Sequence, residues 1–313
     1  MLDEFVWGKV GRISPEAPVP VVEVTGESCY PGGAANVARN LREFVDFVSV
    51  VGLLGKDANG RQLRQLLADQ KIDTTNAVED PSFGTIVKTR IIARQQQVVR
   101  VDRERIASLS GEQISSVSAA VKKSLGQIDA IIFEDYGKGF LGTDLVSQIA
   151  REAQAAGKIV AADPNPRHAV DWRGMTVVKP NRSEAFAAAG IPWRDAETDP
   201  ADDADLIRVG GVLLKTWETK YVLITLGEQG MILFQHGKAP HHIPTKARQV
   251  FDVSGAGDTA IALFTLALSC DATAVEAAEI ANHGSAVVVG KLGTATATRD
   301  ELIASFREDS ERG

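Results

Sequence analysis

From Asp129 to Ile224 the sequence alternates short apolar runs with stretches of helical spacing, and this alternation narrows the available folds more than any other feature. Ala130-Ile131-Ile132-Phe133 is followed by a helical stretch from Leu145 to Ala156, which ends at Gly157. Ile159-Val160-Ala161-Ala162 and Thr176-Val177-Val178 come next, then helices near Ser183–Ala189 and Asp203–Trp217, then Tyr221-Val222-Leu223-Ile224. Runs so short and so uniformly apolar are at home in strands buried on both faces, the condition of a parallel sheet covered by helices. Two long Ala-rich helices, Ala256–Leu268 and Thr273–Val289, close the pattern. The expected frame is a layered α/β fold.

Two earlier stretches differ. Val19–Val24 and Thr85–Ala93 are strand-like, and in Thr85-Ile86-Val87-Lys88-Thr89-Arg90-Ile91 a polar residue recurs at alternate positions. That suits a sheet with one wet face. The expectation is a small antiparallel β-sheet attached to the α/β body and able to act as a lid.

Composition removes some functions. The 313 residues are 44% hydrophobic and 24% charged, values of an ordinary globular protein with ample material for a core. A net charge of -7 opposes nucleic-acid binding, which wants a basic face. No apolar run reaches the ~20 residues of a membrane span, and Met1-Leu2-Asp3-Glu4 lacks the basic and apolar regions of an export signal. A cytoplasmic protein is expected, with neither membrane nor nucleic acid as partner. Cys29 and Cys270 stand far apart in sequence and read as reduced thiols. His236, His241 and His242 have no fourth ligand at zinc-site spacing.

The chemistry centres on Asp252-Val253-Ser254-Gly255-Ala256-Gly257-Asp258, which separates a strand-like Gln249-Val250-Phe251 from a long apolar helix. Glycines let the backbone approach a ligand closely, and the first N–H groups of the helix offer orphan donors to an anion. Preorganised positive potential of this kind is what phosphoryl transfer requires. A carboxylate at the end of the turn, Asp258, is placed to take the proton of an attacking hydroxyl. No Gly-Lys pair is followed by Ser or Thr, so there is no Walker A loop, and there is no His-Arg-Asp of a protein kinase.

That segment resembles the second signature of the ribokinase-like (PfkB) carbohydrate kinases, and Gly32-Gly33-Ala34-Ala35-Asn36-Val37-Ala38-Arg39-Asn40 resembles the first. The resemblance covers nearly the whole chain. It implies a single ribokinase-like domain over residues 1–313, a three-layer α/β/α sandwich with a mostly parallel central sheet. Lid strands would come from about 9–30 and 84–103. It implies ATP and Mg²⁺ as cofactors, Asp258 as base, and Gly255, Ala256 and Gly257 as the phosphate anchor. Asn181-Arg182-Ser183-Glu184 resembles the family's Asn-x-x-Glu motif, with Glu184 acting on Mg²⁺ through water. The same residues also read as a helix N-cap with its capping-box glutamate. Thr225 and Gly227 fall where the family meets ATP phosphates, and Asn282 where it lines the adenine pocket. Asp252 and Ser254 match positions that flank a monovalent cation, K⁺, in some members. A homodimer through the lid sheet is also consistent with the family.

Arg12-Ile13-Ser14-Pro15-Glu16-Ala17-Pro18, Ala93-Arg94-Gln95-Gln96-Gln97 and Asp135-Tyr136-Gly137-Lys138-Gly139 resemble kinases of D-glycero-β-D-manno-heptose 7-phosphate within that family. The substrate implied is a small sugar phosphate. Asp3, Gly32, Gly33, Asn36 and Asp135 would meet its sugar, and Arg12, Lys88, Arg90 and Lys138 its distal phosphate. Charge on alternate strand positions equally describes a solvated lid face for Lys88 and Arg90. Glu134 stands where those kinases usually carry Ser, and Asp163-Pro164-Asn165-Pro166-Arg167 replaces their Asp-Pro-Lys-Gly. These departures keep a kinase of another sugar open, and a non-catalytic sugar- or nucleotide-binding relic is the rival of another class. Family members also begin with a buried strand ending in Gly-Asp before the counterpart of Asp3. Only Met1 and Leu2 precede Asp3 here, so the first core strand is expected to be missing and the natural reading frame to begin upstream.

Overall fold

The computed structural model describes residues 1–94, 96–193, 199–247 and 250–310; Gln95 and Gln249, both in motifs quoted above, lie outside them. The chain begins with β1 (Leu2–Ile13), β2 (Pro20–Pro31), α1 (Ala34–Arg42), β3 (Leu53–Gly55), α2 (Ala58–Asp69), β4 (Val78–Asp80), β5 (Val87–Ala93) and β6 (Gln96–Arg103). It continues through α3 (Gly111–Ser124), β7 (Ala130–Glu134), α4 (Thr143–Ala155), β8 (Ile159–Asp163), β9 (Val177–Val178), α5 (Arg182–Ala189) and α6 (Ala204–Thr216). Then come β10 (Tyr221–Thr225), β11 (Met231–Gln235), β12 (His241–Ile243), α7 (Ala256–Ser269), α8 (Ala274–Val289) and α9 (Arg299–Ser310).

The central sheet has the order β12-β11-β10-β9-β8-β7. Strands β7 to β10 run parallel, and β11 and β12 add an antiparallel margin. Side-chain alternation divides each strand between two cores. Val160, Ala162, Val222, Ile224, Ile232 and Phe234 pack with Leu145 and Ile149 of α4 and Leu206 and Leu213 of α6. Their neighbours Ala161, Leu223 and Leu233 turn the other way, onto Ile261 and Phe264 of α7 and Ala277 and Ala281 of α8. The three-layer α/β/α sandwich follows from that division. The small side chains of α7 and α8 let the two helices lie close together and close to the sheet.

The four-stranded lid sheet has the order β2-β1-β5-β6. Its first strand starts at Leu2, well before the expected position near residue 9. Leu2 and Phe5 are buried there, each 1% exposed, so apolar anchoring carries strand pairing back to the start of the chain. The sheet is also mixed, where an antiparallel one was expected: β1 pairs β5 in parallel, Leu2 opposite Val87 and Asp3 opposite Lys88. The chain makes a long excursion through α1, β3, α2 and β4 between them, which a parallel pair requires. A third cluster, with Leu2, Ala35, Leu54, Leu63, Leu67 and Val87, joins this sheet to α1 and α2. β3 and β4 pair only with each other, and among the described residues no strand links them to β7. Val250 and Phe251, expected in a strand, lie in an exposed loop tied by Phe251 N–H donating to the Val289 carbonyl at 2.8 Å.

Two adjacent glycines of α6 test the packing. A Cβ on Gly210 would stand 2.3 Å from the Phe234 ring, whereas one on Gly211 meets nothing within 4 Å. Overpacking costs ~1–3 kcal/mol and Ala returns up to ~1 kcal/mol of helix propensity. Gly210→Ala is therefore expected to destabilise by ~1–2 kcal/mol in urea unfolding, and Gly211→Ala to stabilise by ~0.5–1 kcal/mol.

Candidate active site

The two glycine signatures converge. Gly33 is the N-cap of α1 at φ 61°, and Gly255 is the N-cap of α7 at φ 85°. Both are in the left-handed region that glycine enters without strain. A Cβ on Gly255 would stand 2.7 Å from Asn36 Nδ2, so the turn also needs glycine for room.

Asp258 lies in the first turn of α7 and is 7% exposed. Asn36 Nδ2 donates to its Oδ2 at 2.8 Å, and the Tyr136 hydroxyl donates to its Oδ1 at 2.8 Å. Asn36 is itself held: Arg39 donates to its Oδ1 at 3.3 Å and to the Thr294 carbonyl at 2.9 Å. Burial pushes the Asp258 carboxyl up to about 6, with the charge of Asp163 adding to it and the two hydrogen bonds opposing it. Burial, then the Asp258 charge, holds the Tyr136 hydroxyl well above its usual range, so it keeps its proton and acts as the donor.

Lys179, directly after β9, is 3% exposed. Its ammonium meets Asp163 Oδ2 at 2.9 Å and lies 3.4 Å from the Cβ position of Gly257. A positive charge thus sits beside the glycine turn. Burial works against it, but Asp163 and Glu134 outweigh burial and the pKa of Lys179 ends above its ordinary value. Glu134, at the end of β7, lies opposite Asp163 in register. Carboxylate oxygens of Glu134, Asp163 and Asp258 lie within 4.8 Å of one another.

The sugar candidates divide. Asp3 is 4% exposed, accepts from Arg90 at 2.5 Å, and leaves no room for a Cβ on Gly32, which would stand 2.0 Å from Asp3 Oδ2. Asp135 is occupied by Gly137 N–H at 2.8 Å and by His168 Nδ1 at 2.9 Å. Lys88 is held by Asp102 at 2.9 Å and Glu104 at 3.2 Å, and Lys138 by Glu104 at 2.8 Å. Arg12 is exposed near the far end of β1, nine residues beyond Asp3 or ~30 Å along an extended strand. A cavity of about 480 Å³ beside Tyr136 is lined by Lys138, Asn165, Arg167 and His168 among others.

The nucleotide candidates lie on α5, β10 and α8. Asn181 and Glu184 form the reciprocal capping box, with Glu184 N–H donating to Asn181 Oδ1 at 2.9 Å and Asn181 N–H to Glu184 Oε2 at 2.8 Å. Burial raises the pKa of Glu184. Thr225 ends β10, and Gly227 follows it at φ 62° with open space on its Cβ side. Asn282 is buried and donates to the Pro244 carbonyl at 2.7 Å. Asp252 ties two loops together by accepting from Ser254 N–H at 2.9 Å and Gly293 N–H at 3.2 Å.

Tyr136, Lys179, Glu134 and Asp163 were not singled out as site residues by sequence reasoning. A shared signal was available: Glu134, Asp163 and Lys179 each stand at or just after the end of a buried apolar run. The C-terminal edge of a parallel sheet is where α/β proteins bind ligands.

A buried carboxylate beside a glycine turn, a helix N-terminus and an ammonium is the equipment of a phosphotransferase acting on a hydroxyl. The chain belongs to the pfkB family of carbohydrate kinases, whose pattern matches residues 5–301. It is 39% identical over 308 residues to the bifunctional protein HldE of Desulfatibacillum aliphaticivorans, covering 98% of this chain and 62% of that protein. It is 41% identical over 306 residues to HldE of Geobacter sulfurreducens, covering 98% and 61%. The chain thus spans about three-fifths of the length of these relatives. Phosphofructokinase-2 from Escherichia coli superposes with a TM-score of 0.80 at 18% identity, over 99% of this chain and 96% of that one. A ribokinase from Thermotoga maritima gives 0.74 at 18%, over 98% and 96%.

A base works as the carboxylate, and the pKa of Asp258 is raised. The sugar kcat/KM is therefore expected to rise as pH is raised through about 6 and to fall away below it, read from initial rates between pH 5 and 8.

Proposed function

We propose that this carbohydrate kinase transfers the γ-phosphoryl group of ATP to the anomeric hydroxyl of D-glycero-D-manno-heptose 7-phosphate, giving the 1,7-bisphosphate. The arrangement of Asp258 carries the reading: Asn36 and Tyr136 fix both its oxygens beside the Gly255–Gly257 turn. The substrate is supported by the heptose-kinase motifs and by the cationic cavity next to Tyr136.

The hydroxyl oxygen forms the new bond to phosphorus as the bond to the bridging oxygen of ADP breaks, and Asp258 takes the hydroxyl proton. Charge on the transferring oxygens is met by the N–H groups of Gly255–Gly257, the N-terminus of α7 and Lys179. Asp3, Gly32, Gly33 and Asn36 hold the sugar. Asn181, Glu184, Thr225 and Gly227 face the ATP phosphates, and Asn282 the adenine. The donor set fits Mg²⁺: hard carboxylate oxygens of Glu134, Asp163 and Asp258 lie within 4.8 Å of one another, both Glu134 oxygens are buried without a partner, and Glu184 would act through water. When bound, Mg²⁺ neutralises charge on the β- and γ-phosphates. The loops joined by Asp252, near Ser254, suit a K⁺ ion, and another structure of the Escherichia coli phosphofructokinase-2 is in complex with potassium. Pairing of two copies through the lid sheet would place the exposed Val98, Val99 and Val101 of β6 in an interface.

The distal phosphate has two candidate seats. Lys138 and Arg167 line the cavity, whereas Lys88 and Arg90 are already engaged by carboxylates of the lid or of Asp3. The cavity pair is favoured because phosphate entering there need break only the Lys138–Glu104 contact among the ion pairs described. A second reading, a kinase of another sugar, is favoured by Glu134 and by the Asp163–Arg167 string.

A coupled ADP-release assay over heptose 7-phosphate, heptose, fructose 6-phosphate and ribose decides the substrate. The highest kcat/KM is expected with heptose 7-phosphate, and a higher value with another sugar transfers the assignment to it. Asp258→Asn is expected to cut kcat by at least ~10²-fold while leaving ATP binding intact. Lys138→Ala and Arg167→Ala are expected to raise KM for the sugar phosphate several-fold with little change in kcat, the mark of a contact made equally in ground and transition states. A larger effect from Lys88→Ala or Arg90→Ala moves the phosphate to the lid.

A further inference from the structure

Asp135 falls where a sugar hydroxyl is expected, yet its carboxylate is already engaged. The side chain is 2% exposed. Its Oδ1 accepts from Gly137 N–H at 2.8 Å, and His168 Nδ1 lies 2.9 Å from both Oδ1 and Oδ2. A carboxylate can only accept, so Nδ1 carries the ring proton and Nε2 is left for a ligand. Among the described residues, the hydrogen bonds of the ring are those of Nδ1 to Asp135.

His168 closes a turn built on Asn165. Arg167 N–H donates to Asn165 Oδ1 at 3.0 Å, and His168 N–H donates to the Asn165 carbonyl at 2.9 Å. Arg167 and His168 both line the cavity of about 480 Å³, together with Lys138. Lys138 is met there by Glu104, whereas Arg167 forms no ion pair among the described residues. His168 also borders a smaller cavity, of about 130 Å³, that Glu184 of α5 lines. The charged groups around the ring are therefore Asp135, Lys138 and Arg167 on the larger cavity's side and Glu184 on the other, and an anion is drawn to the larger cavity. A phosphate monoester takes several donors on its three free oxygens, which matches three nitrogen-bearing side chains at one cavity.

Taking the substrate to be a sugar phosphate, as proposed above, we infer that Asp135 is a positioning residue and that the His168 it holds is a third contact for the distal phosphate, with Nε2 donating beside Lys138 and Arg167. The proton on Nε2 comes from solvent as the anion enters, and the Asp135 carboxylate balances it from the far side of the ring. His168 directly follows the Asp163–Arg167 string that stands in place of the Asp-Pro-Lys-Gly of the heptose kinases. The departure thus exchanges one lysine for an arginine and a histidine, and the segment keeps its means of meeting an anion.

The first test follows the imidazole nitrogen resonances of the nucleotide-free protein during titration with inorganic phosphate. The chain has five histidines, so His168 is identified as the signal missing from His168→Gln. Its Nε2 is expected to move toward the position of a protonated, donating nitrogen. If no histidine signal moves at tens of millimolar phosphate, the inference is overturned without any variant having to fold. The second test is kinetic. His168→Gln should raise KM for heptose 7-phosphate at least ~5-fold, the scale of a lost charge-assisted hydrogen bond. The preference for heptose 7-phosphate over heptose, taken as the ratio of kcat/KM, should fall by the same factor. An equal loss with both sugars makes His168 a structural residue or a sugar ligand and overturns the inference. Asp135→Asn should act through the histidine, raising the same KM in the parent and adding nothing in His168→Gln. Additive losses return Asp135 to the sugar and overturn its positioning role. The substrate assignment fails separately: if phosphate moves the His168 signal while heptose 7-phosphate is inert in the assay, the phosphate seat is supported and only the choice of sugar falls.

Discussion

The hydrogen bond from Asn36 to Asp258 joins positions 222 residues apart, and the site is organised around it. It couples the start of α1 to the start of α7, two helices whose N-caps are glycines at positive φ. One turn further along, the Thr259 hydroxyl donates to Asn40 Oδ1 at 2.9 Å, and Asn40 in turn donates to the Asn36 carbonyl at 3.0 Å. These groups are buried, so each would be expensive to leave unpaired, and their mutual satisfaction fixes the relative placement of the two helices. Under the proposed function, a sugar held by the first signature would thereby be brought to the base and anion turn of the second. An asparagine suits the linking position because its amide donates to Asp258 while its carbonyl oxygen accepts from Arg39.

Around that link the protein concentrates charge that it could have avoided. Asp258, Asp163, Lys179 and Glu134 lie where the central sheet ends, and burial acts on all of them. Replacing such a group with apolar side chains would often gain stability, so its presence is a mark of chemistry more than of folding. The low-dielectric setting that raises the Asp258 pKa also strengthens the pull of Lys179 and the helix N-terminus on an anion. Under the proposed function, base strength and anion affinity would therefore have one origin.

Much of this was legible in the sequence for a simple reason. Buried parallel strands need short apolar runs, and the runs at Ala130, Ile159, Val177 and Tyr221 became β7 to β10 with shifts of a residue or two. The Gly255–Gly257 turn was legible because a helix start at positive φ with no room for a Cβ requires glycine. The lid was read only in part. Its parallel β1–β5 pair is non-local, and a strand's own pattern does not reveal which neighbour it will choose or in which direction. Glu134, Asp163 and Lys179 were passed over as site residues because each belongs to a different strand end, and only the register of the sheet puts them together. Tyr136 reads in sequence as one aromatic residue in a loop; its place over Asp258 is a tertiary fact.

Asn181 and Glu184 show how one pair of residues satisfies a structural and a chemical demand together. The capping box uses Asn181 Oδ1 and one Glu184 oxygen, Oε2, to close the N-terminus of α5. Ser183 adds its hydroxyl to Asn181 Oδ1 at 2.8 Å, so the cap is fixed before any ligand arrives. The second Glu184 oxygen is not the acceptor of that backbone bond, and under the proposed function it would meet a water on the ion. Capping therefore orients the glutamate, and under the proposed function the same bonds that stabilise the helix would pre-set the direction of a group that acts at a distance. An Asn-x-x-Glu spacing is then a requirement of the helix geometry, because only N-cap and N3 can bond reciprocally. The structural reading of that motif and the catalytic one proposed for it would then be two consequences of one hydrogen-bond pattern.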